Sequence, residues 1–316
     1  MTDYIILRKK NPRVFELPEF YETGFFFNEA VHLSQQRNGV YHLLAALNQH
    51  TQQAEARCAF FVSSDEAVSP GAAPFGSVEF AESLPDIVLD EFLQALQDTV
   101  RTVDASTLRL VNYPNCYAPK QAQRLTNKLI EHGFRILTTD QNFFLPITGS
   151  DWESQIEPAE RRRLRKCREA GFTFAHWQTP DLDVVIHFLQ ETRSLKGYPL
   201  TINPDQLRAL LANFPNQFSV FVVRDGSRLA ALTVSVRVRH DILYNFMPTY
   251  HPRYQTFSPM VMLTHGLFGY CQQQAIRLLD LGVSLDASRT PKPSLARFKK
   301  NLGAQESPKL VFEKSL

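Results

Sequence analysis

The stretch 242–303, ILYNFMPTYHPRYQTFSPMVMLTHGLFGYCQQQAIRLLDLGVSLDASRTPKPSLARFKKNLG, gathers residue types that handle anions. His251 and Arg253 stand in a proline-bounded loop ending at Ser258-Pro259, a serine in N-cap position before a proline at the first helical position. Met260, Leu263, Leu267 and Tyr270 then recur three, four and three residues apart, which is one face of a helix. The start of such a helix carries unsatisfied N–H groups and a partial positive charge, a corner suited to a phosphate or a carbonyl oxygen. Arg253 beside it is placed to pair with phosphate. The plainer reading is that Ser258 only caps the helix and the corner stays empty.

A second concentration of charge lies upstream. The helix expected over Pro158–Ala170, closed by Gly171, carries Arg161, Arg162, Arg163, Arg165, Lys166 and Arg168, with Leu164 and Cys167 three apart on its inner side. Arg161 and Arg165 fall one turn apart and together suit an anionic acceptor. The whole face suits a phosphorylated substrate or RNA, or is simply solvated, as charge runs usually are.

Around these residues, a strand Ile242–Met247, the helix from Pro259, a strand Ile276–Val283 with Asp280 inside it, and a helix Ser294–Lys300 make a βαβα unit. Upstream of it, Phe218–Val223 and Leu229–Val238 form a hairpin through Arg224-Asp225-Gly226-Ser227, and helices occupy Leu182–Leu195 and Asp205–Leu211. In the first half, Phe25-Phe26-Phe27 marks a buried strand or anchor, 38–50 reads as a helix, and 57–80 as a hairpin whose loop, Ser69–Pro74, is exposed. An amphipathic helix follows from Pro85, then a strand Leu108–Val111. A helix Lys120–His132 comes next, with Leu125, Leu129 and Ile130 inward and Gly133 as its cap, and then one or two strands over Arg135–Leu145. Pro146–Asp151 is the natural boundary, giving domains 1–148 and 149–316. Both halves order their elements alike, as in two copies of one mixed α/β domain.

Composition narrows the classes. A chain of 316 residues with 24 Phe, 10 Tyr and 21% charged residues buries large cores and folds. A net charge of +2 makes no general case for nucleic acid or a membrane surface. No apolar run approaches the ~20 residues of a spanning helix, and MTDYIILRKKNPRVFE lacks a signal-peptide apolar region. The four scattered cysteines suggest reduced thiols and a cytoplasmic setting. The nine histidines form no HxxxH or HExxH pair, so no metal is expected.

The chain resembles tandem GNAT-fold acyltransferases of the Fem type, peptidoglycan aminoacyltransferases and their acetyltransferase-like relatives. Arg161-Arg162-Arg163-Leu164-Arg165-Lys166 with Gly171 is similar to the family's RRxxRKAxxxG segment. Leu279-Asp280-Leu281-Gly282-Val283-Ser284 resembles its YDFGGxS strand end, with Leu281 in place of an aromatic and Val283 in place of a glycine. Phe298-Lys299-Lys300-Asn301-Leu302-Gly303 resembles its RFKxxFG helix. The Q/RxxGxG/A pyrophosphate loop of ordinary GNAT enzymes is absent, and Tyr254-Gln255-Thr256-Phe257-Ser258-Pro259 stands in its place.

The resemblance implies two GNAT-like domains in tandem, each a mixed central sheet flanked by helices, with the active site in the second. It implies acyl transfer from acyl-CoA (acetyl-CoA) to an amine of a small molecule or peptide, without metal. Lys299 is then the oxyanion stabiliser, Asp280 the group that takes or orients the amine proton, and Tyr244 or Tyr250 the donor to the leaving group. Arg253, Ser258, Pro259 and Met260 would hold the CoA, and Arg161, Arg165, Tyr250, His251 and Ser284 the acceptor, with His251 a further general-base candidate. Aminoacyl transfer from charged tRNA, and a non-catalytic GNAT-fold binding protein, are the alternatives.

Overall fold

A computed structural model describes residues 3–36, 41–197, 200, 202–286 and 288–316. The chain divides into two compact units: 1–141 with 307–316, and 142–306. The last strand therefore belongs to the first unit, which the expected division at 148 had given to the second.

In the first unit, β1 (Tyr4–Lys10), β2 (His42–Asn48) and β3 (Ala54–Ser63) run antiparallel, and β3 turns back into β4 (Glu66–Ser69). The helix expected over 38–50 is strand β2; 38–40 lie outside the described residues. Its run Leu43–Ala46 is buried throughout and pairs with β1 on one side and β3 on the other. A continuous apolar run in a doubly paired strand carries no alternation to distinguish it from a buried helix.

Phe25, Phe26 and Phe27 are buried, but in a 3-10 turn rather than a strand. The strand read at 76–80 shrinks to β5 (Glu79–Phe80), and Ser69 and Pro70 are buried rather than exposed. After the short α1 (Ala30–Leu33), the unit's main helices are α2 (Asp86–Arg101) and α3 (Pro119–Glu131). Strand β6 (Thr107–Val111) pairs parallel to β4 and antiparallel to the final strand, β14 (Gln305–Ser315). Leu125 and Leu129 reach the core with Phe60, Phe92, Leu96 and Leu108. Ile130 turns outward at 52% exposure.

The second unit takes residues 142–146 of β7 (Arg135–Pro146) into a sheet with β8 (Thr173–His176), β9 (Phe218–Asp225), β10 (Arg228–Arg239), β11 (Ile242–Tyr244) and β13 (Leu278–Val283), ordered β7-β13-β11-β10-β9-β8. All these pairs are antiparallel except β11 with β13. The short β12 (Thr249–Tyr250) pairs with β10. A parallel pair needs a crossover, here α7 (Pro259–Gln273). Its Leu263 and Leu267 are buried with Phe143, Leu164, Phe221 and Leu279, while Met260 and Tyr270 are half-buried at the same core. The other helices are α4 (Pro158–Glu169), α5 (Leu182–Ser194), α6 (Pro204–Asn213) and α8 (Pro293–Asn301). No helix among the described residues is long and apolar enough to cross a membrane.

Candidate active site

Strands β11 and β13 stay together as far as the pair Tyr244–Asp280, and the Asn245 N–H adds one more bond to the Asp280 carbonyl at 2.8 Å. Beyond that the chain leaves β13: the Met247 N–H bonds Val234 of β10, and β12 stays on β10. The strand expected to reach Met247 thus ends at Tyr244. The Phe246 N–H has no hydrogen-bond partner among the described residues.

Opposite this parting, β13 bulges. Its ladder with β7 steps from Asp280–Phe144 to Gly282–Phe143, leaving Leu281 as the extra residue. Gly282 has φ +71°, where a side chain is strained, and a Cβ there would lie 3.2 Å from the Tyr244 ring and 3.4 Å from its hydroxyl.

Two side chains hold the bulge. The Asp280 carboxylate, 1% exposed, accepts the Gly282 N–H at 2.7 Å and the Asn142 amide at 2.8 Å. The Lys299 ammonium, carried by α8 and 7% exposed, donates to the Gly282 and Val283 carbonyls at 2.8 Å each. It also lies 5.3 Å from the Phe143 ring centroid. Burial pushes this ammonium down to about 8, against the opposing pull of Asp280. Burial likewise raises the Tyr244 phenol well above its ordinary range; the Asp280 charge adds to this and Arg193 opposes it. Tyr244 is a protonated hydroxyl at neutral pH.

Tyr244, Asp280, Lys299 and Ser284 therefore gather at one bulge, where Ser284 is buried with its hydroxyl unpaired among the described residues. The remaining sequence candidates lie elsewhere in the unit. Tyr250 of β12 takes the Lys196 ammonium 3.5 Å above its ring. His251 accepts the Arg253 N–H through Nδ1 at 3.2 Å, with Nε2 3.6 Å from Glu191. Arg253 is exposed.

Ser258 does not cap α7 through its side chain: it takes φ +54°, a left-handed conformation, and its carbonyl receives the Val261 N–H at 2.9 Å. The N–H of Met260, just behind the buried Pro259, has no partner among the described residues. Next to this corner, Lys166 bonds the Thr256 carbonyl at 2.9 Å and the Cys167 thiol lies 3.0 Å from that of Phe257. Arg161 is turned to the Glu153 carbonyl at 3.0 Å, whereas Arg165 is exposed and unpaired among the described residues. The two remain one turn apart on α4, with one Arg161 N–H taken up by the helix entry.

Sequence reasoning missed Asn142, Arg193 and Lys196. Nothing local marks Asn142, which reaches Asp280 from another strand. The Arg193-x-x-Lys196 pair at the end of an amphipathic helix was a legible signal.

Residues 159–300 match the family model of the acetyltransferase (GNAT) domain. Among solved structures the chain is similar to FemX, at 12% identity over 93% of both chains with a TM-score of 0.70. It is also similar to a conserved protein of unknown function from Bacteroides thetaiotaomicron, at 12% identity over 98% of this chain and 99% of that one with a TM-score of 0.62. A tandem GNAT protein from the clavulanic acid biosynthesis pathway aligns at 10% identity over 99% and 98%, with a TM-score of 0.55. No curated protein matches the chain. The fold is GNAT-like, two such domains in tandem, and resembles that of Fem-type proteins.

Proposed function

We propose that the second unit is an N-acyltransferase that moves an acyl group, acetyl or longer, from acyl-CoA to an amine of a small molecule or peptide. The observation that carries this reading is the parting of β11 and β13 beyond Tyr244–Asp280. It leaves a backbone N–H at Phe246 unpaired among the described residues, beside the protonated hydroxyl of the half-buried Tyr244.

The amine nitrogen attacks the thioester carbonyl carbon, and the carbonyl electron pair moves to oxygen. The Phe246 N–H receives that oxyanion. As the intermediate collapses the C–S bond breaks, and the Tyr244 hydroxyl gives its proton to the leaving sulfur. The proton the amine loses passes to water, since His251 pairs with the far end of β10 and its Nδ1 already accepts the Arg253 N–H. Asp280 and Lys299 act as positioning residues: both are spent on the bulge that seats Tyr244 over Gly282. The unbonded Met260 N–H at the start of α7, with Arg253, takes the anionic end of the donor in place of a glycine-rich loop.

One observation favours aminoacyl transfer from charged tRNA as the second reading. Arg162 and Arg165 are exposed on α4 and unpaired among the described residues, next to a corner without the glycine loop. Release of free CoA thiol from acetyl-CoA, followed over a panel of amines, separates the two. Thiol release that falls about a hundredfold or more in Tyr244→Phe supports the acyl-CoA reading. Release unchanged by that substitution, or transfer from charged tRNA alone, refutes it.

A further inference from the structure

Arg193 and Lys196, at the end of α5 and beside β12, are cations that the transfer chemistry above leaves without a role. Arg193, on the last turn of α5, has its Nε shut off from solvent and bonded to nothing among the described residues. Its charge acts on the Tyr244 hydroxyl and on Lys196. The Lys196 ammonium lies 3.5 Å above the Tyr250 ring, and its one hydrogen bond among the described residues is long, 3.4 Å to the Thr249 hydroxyl, which itself donates to Thr192 at 2.9 Å. Lys292, whose N–H bonds the Ser284 carbonyl at 2.8 Å, is a third positive charge acting on Lys196. The Ser284 hydroxyl, 6% exposed, is unpaired among the described residues. No carboxylate pairs with Arg193 or Lys196 among the described residues.

A guanidinium nitrogen withdrawn from water without an acceptor forfeits its hydration and gains nothing, and the two like charges nearby add to that cost. Burial, with Arg193 and Lys292 adding repulsion, pushes Lys196 down to about 8, the response of a cation whose counter-charge is missing. A guanidinium is a planar fork that takes two oxygens of one oxyanion. We propose that Arg193, Lys196, Lys292 and Ser284 form a recess that binds an oxyanion, a carboxylate or a phosphate, of the acyl acceptor and so presents the acceptor's amine at Tyr244. This assignment rests on the acyl-transfer reading for the words "acyl acceptor"; the anion site itself does not.

The test is a titration of the whole chain, without acyl donor, with sodium phosphate, sodium acetate or sodium chloride at matched ionic strength. It is read on the arginine Nε–H resonances by NMR, with the Arg193 signal assigned by its loss in Arg193→Lys. Saturable movement of that signal with phosphate or acetate, weakened about tenfold in Lys196→Gln and unchanged in Arg208→Gln, is the expected result. Saturation by phosphate alone assigns a phosphorylated acceptor, and saturation by acetate a carboxylate. No saturable shift, an equal shift with chloride, or an affinity indifferent to Lys196→Gln overturns the proposal. Anion binding without thiol release would sink the acyl-transfer reading and leave the recess standing. Transfer to a neutral amine without anion binding would do the reverse.

Discussion

Removing the buried ammonium of Lys299 makes a prediction whose size follows from its surroundings. The group is pushed from 10.5 to about 8 by burial. Each tenfold in affinity for the proton is about 1.4 kcal/mol, so carrying the charge in the folded state costs about 3 kcal/mol below pH 8 relative to the unfolded chain. The unfolded chain binds the proton more tightly, so stability rises with pH between the folded and unfolded values and is lowest below both. From pH 7 to pH 10 the gain is about 2–3 kcal/mol.

Lys299→Met lacks this gain. It also leaves the Gly282 and Val283 carbonyls without their donor, a loss that does not vary with pH. Urea unfolding of both proteins at pH 7, 8.5 and 10 isolates the effect, because Lys196, pushed in the same direction, titrates alike in both and cancels. The stability of the wild type minus that of the variant should grow by about 2–3 kcal/mol across this range. Parallel pH profiles, or a difference that shrinks with pH, would refute the assignment of a strained, charged lysine at the bulge.

Three further substitutions probe the same framework. Gly282→Ala should destabilise by about 1–2 kcal/mol from the left-handed backbone alone, more if Tyr244 is forced aside, and a lower urea midpoint checks it. Asn142→Ala withdraws one donor from the buried Asp280 carboxylate and should cost about 1–3 kcal/mol; a melting temperature within one degree of wild type would contradict the clamp. Ser258→Gly should hold or raise stability, since φ is +54° and the hydroxyl caps nothing, whereas Ser258→Ala should not gain; an N-capping serine would lose about 1 kcal/mol with alanine and a few tenths with glycine.

Most of the second unit was legible because its signals are local. The Asp225-Gly226 turn, the Asn203-Pro204 helix start and Gly171 after α4 announce element ends by backbone chemistry, and each falls where the residues indicate. The misreadings share a different cause: they depend on partners distant in sequence. His42–Asn48 is rich in helix-forming Leu and Ala, yet β1 and β3 claim both its edges. Ile242–Met247 loses its last residues as strand because the backbone crosses to β10. Ser258-Pro259 has the letters of an N-cap, but the incoming 3-10 turn Pro252–Tyr254 delivers the chain in a left-handed conformation.

Within the site, the resemblance brought Asp280 and Lys299 into view but could not show how they are spent. One holds an N–H and the other two carbonyls of the same bulge. Those bonds depend on where β13, β7 and α8 meet, which no spacing along the chain encodes.

Binding of the acyl donor tests the central reading most directly, through thermal unfolding of the whole chain titrated with acetyl-CoA, a longer acyl-CoA and charged tRNA. A ligand bound by the native state raises the unfolding temperature as its concentration passes the dissociation constant. An acyl-CoA reading predicts a saturable rise with a CoA ester that Arg253→Ala weakens. No rise with any CoA ester, or a rise with charged tRNA alone, contradicts it.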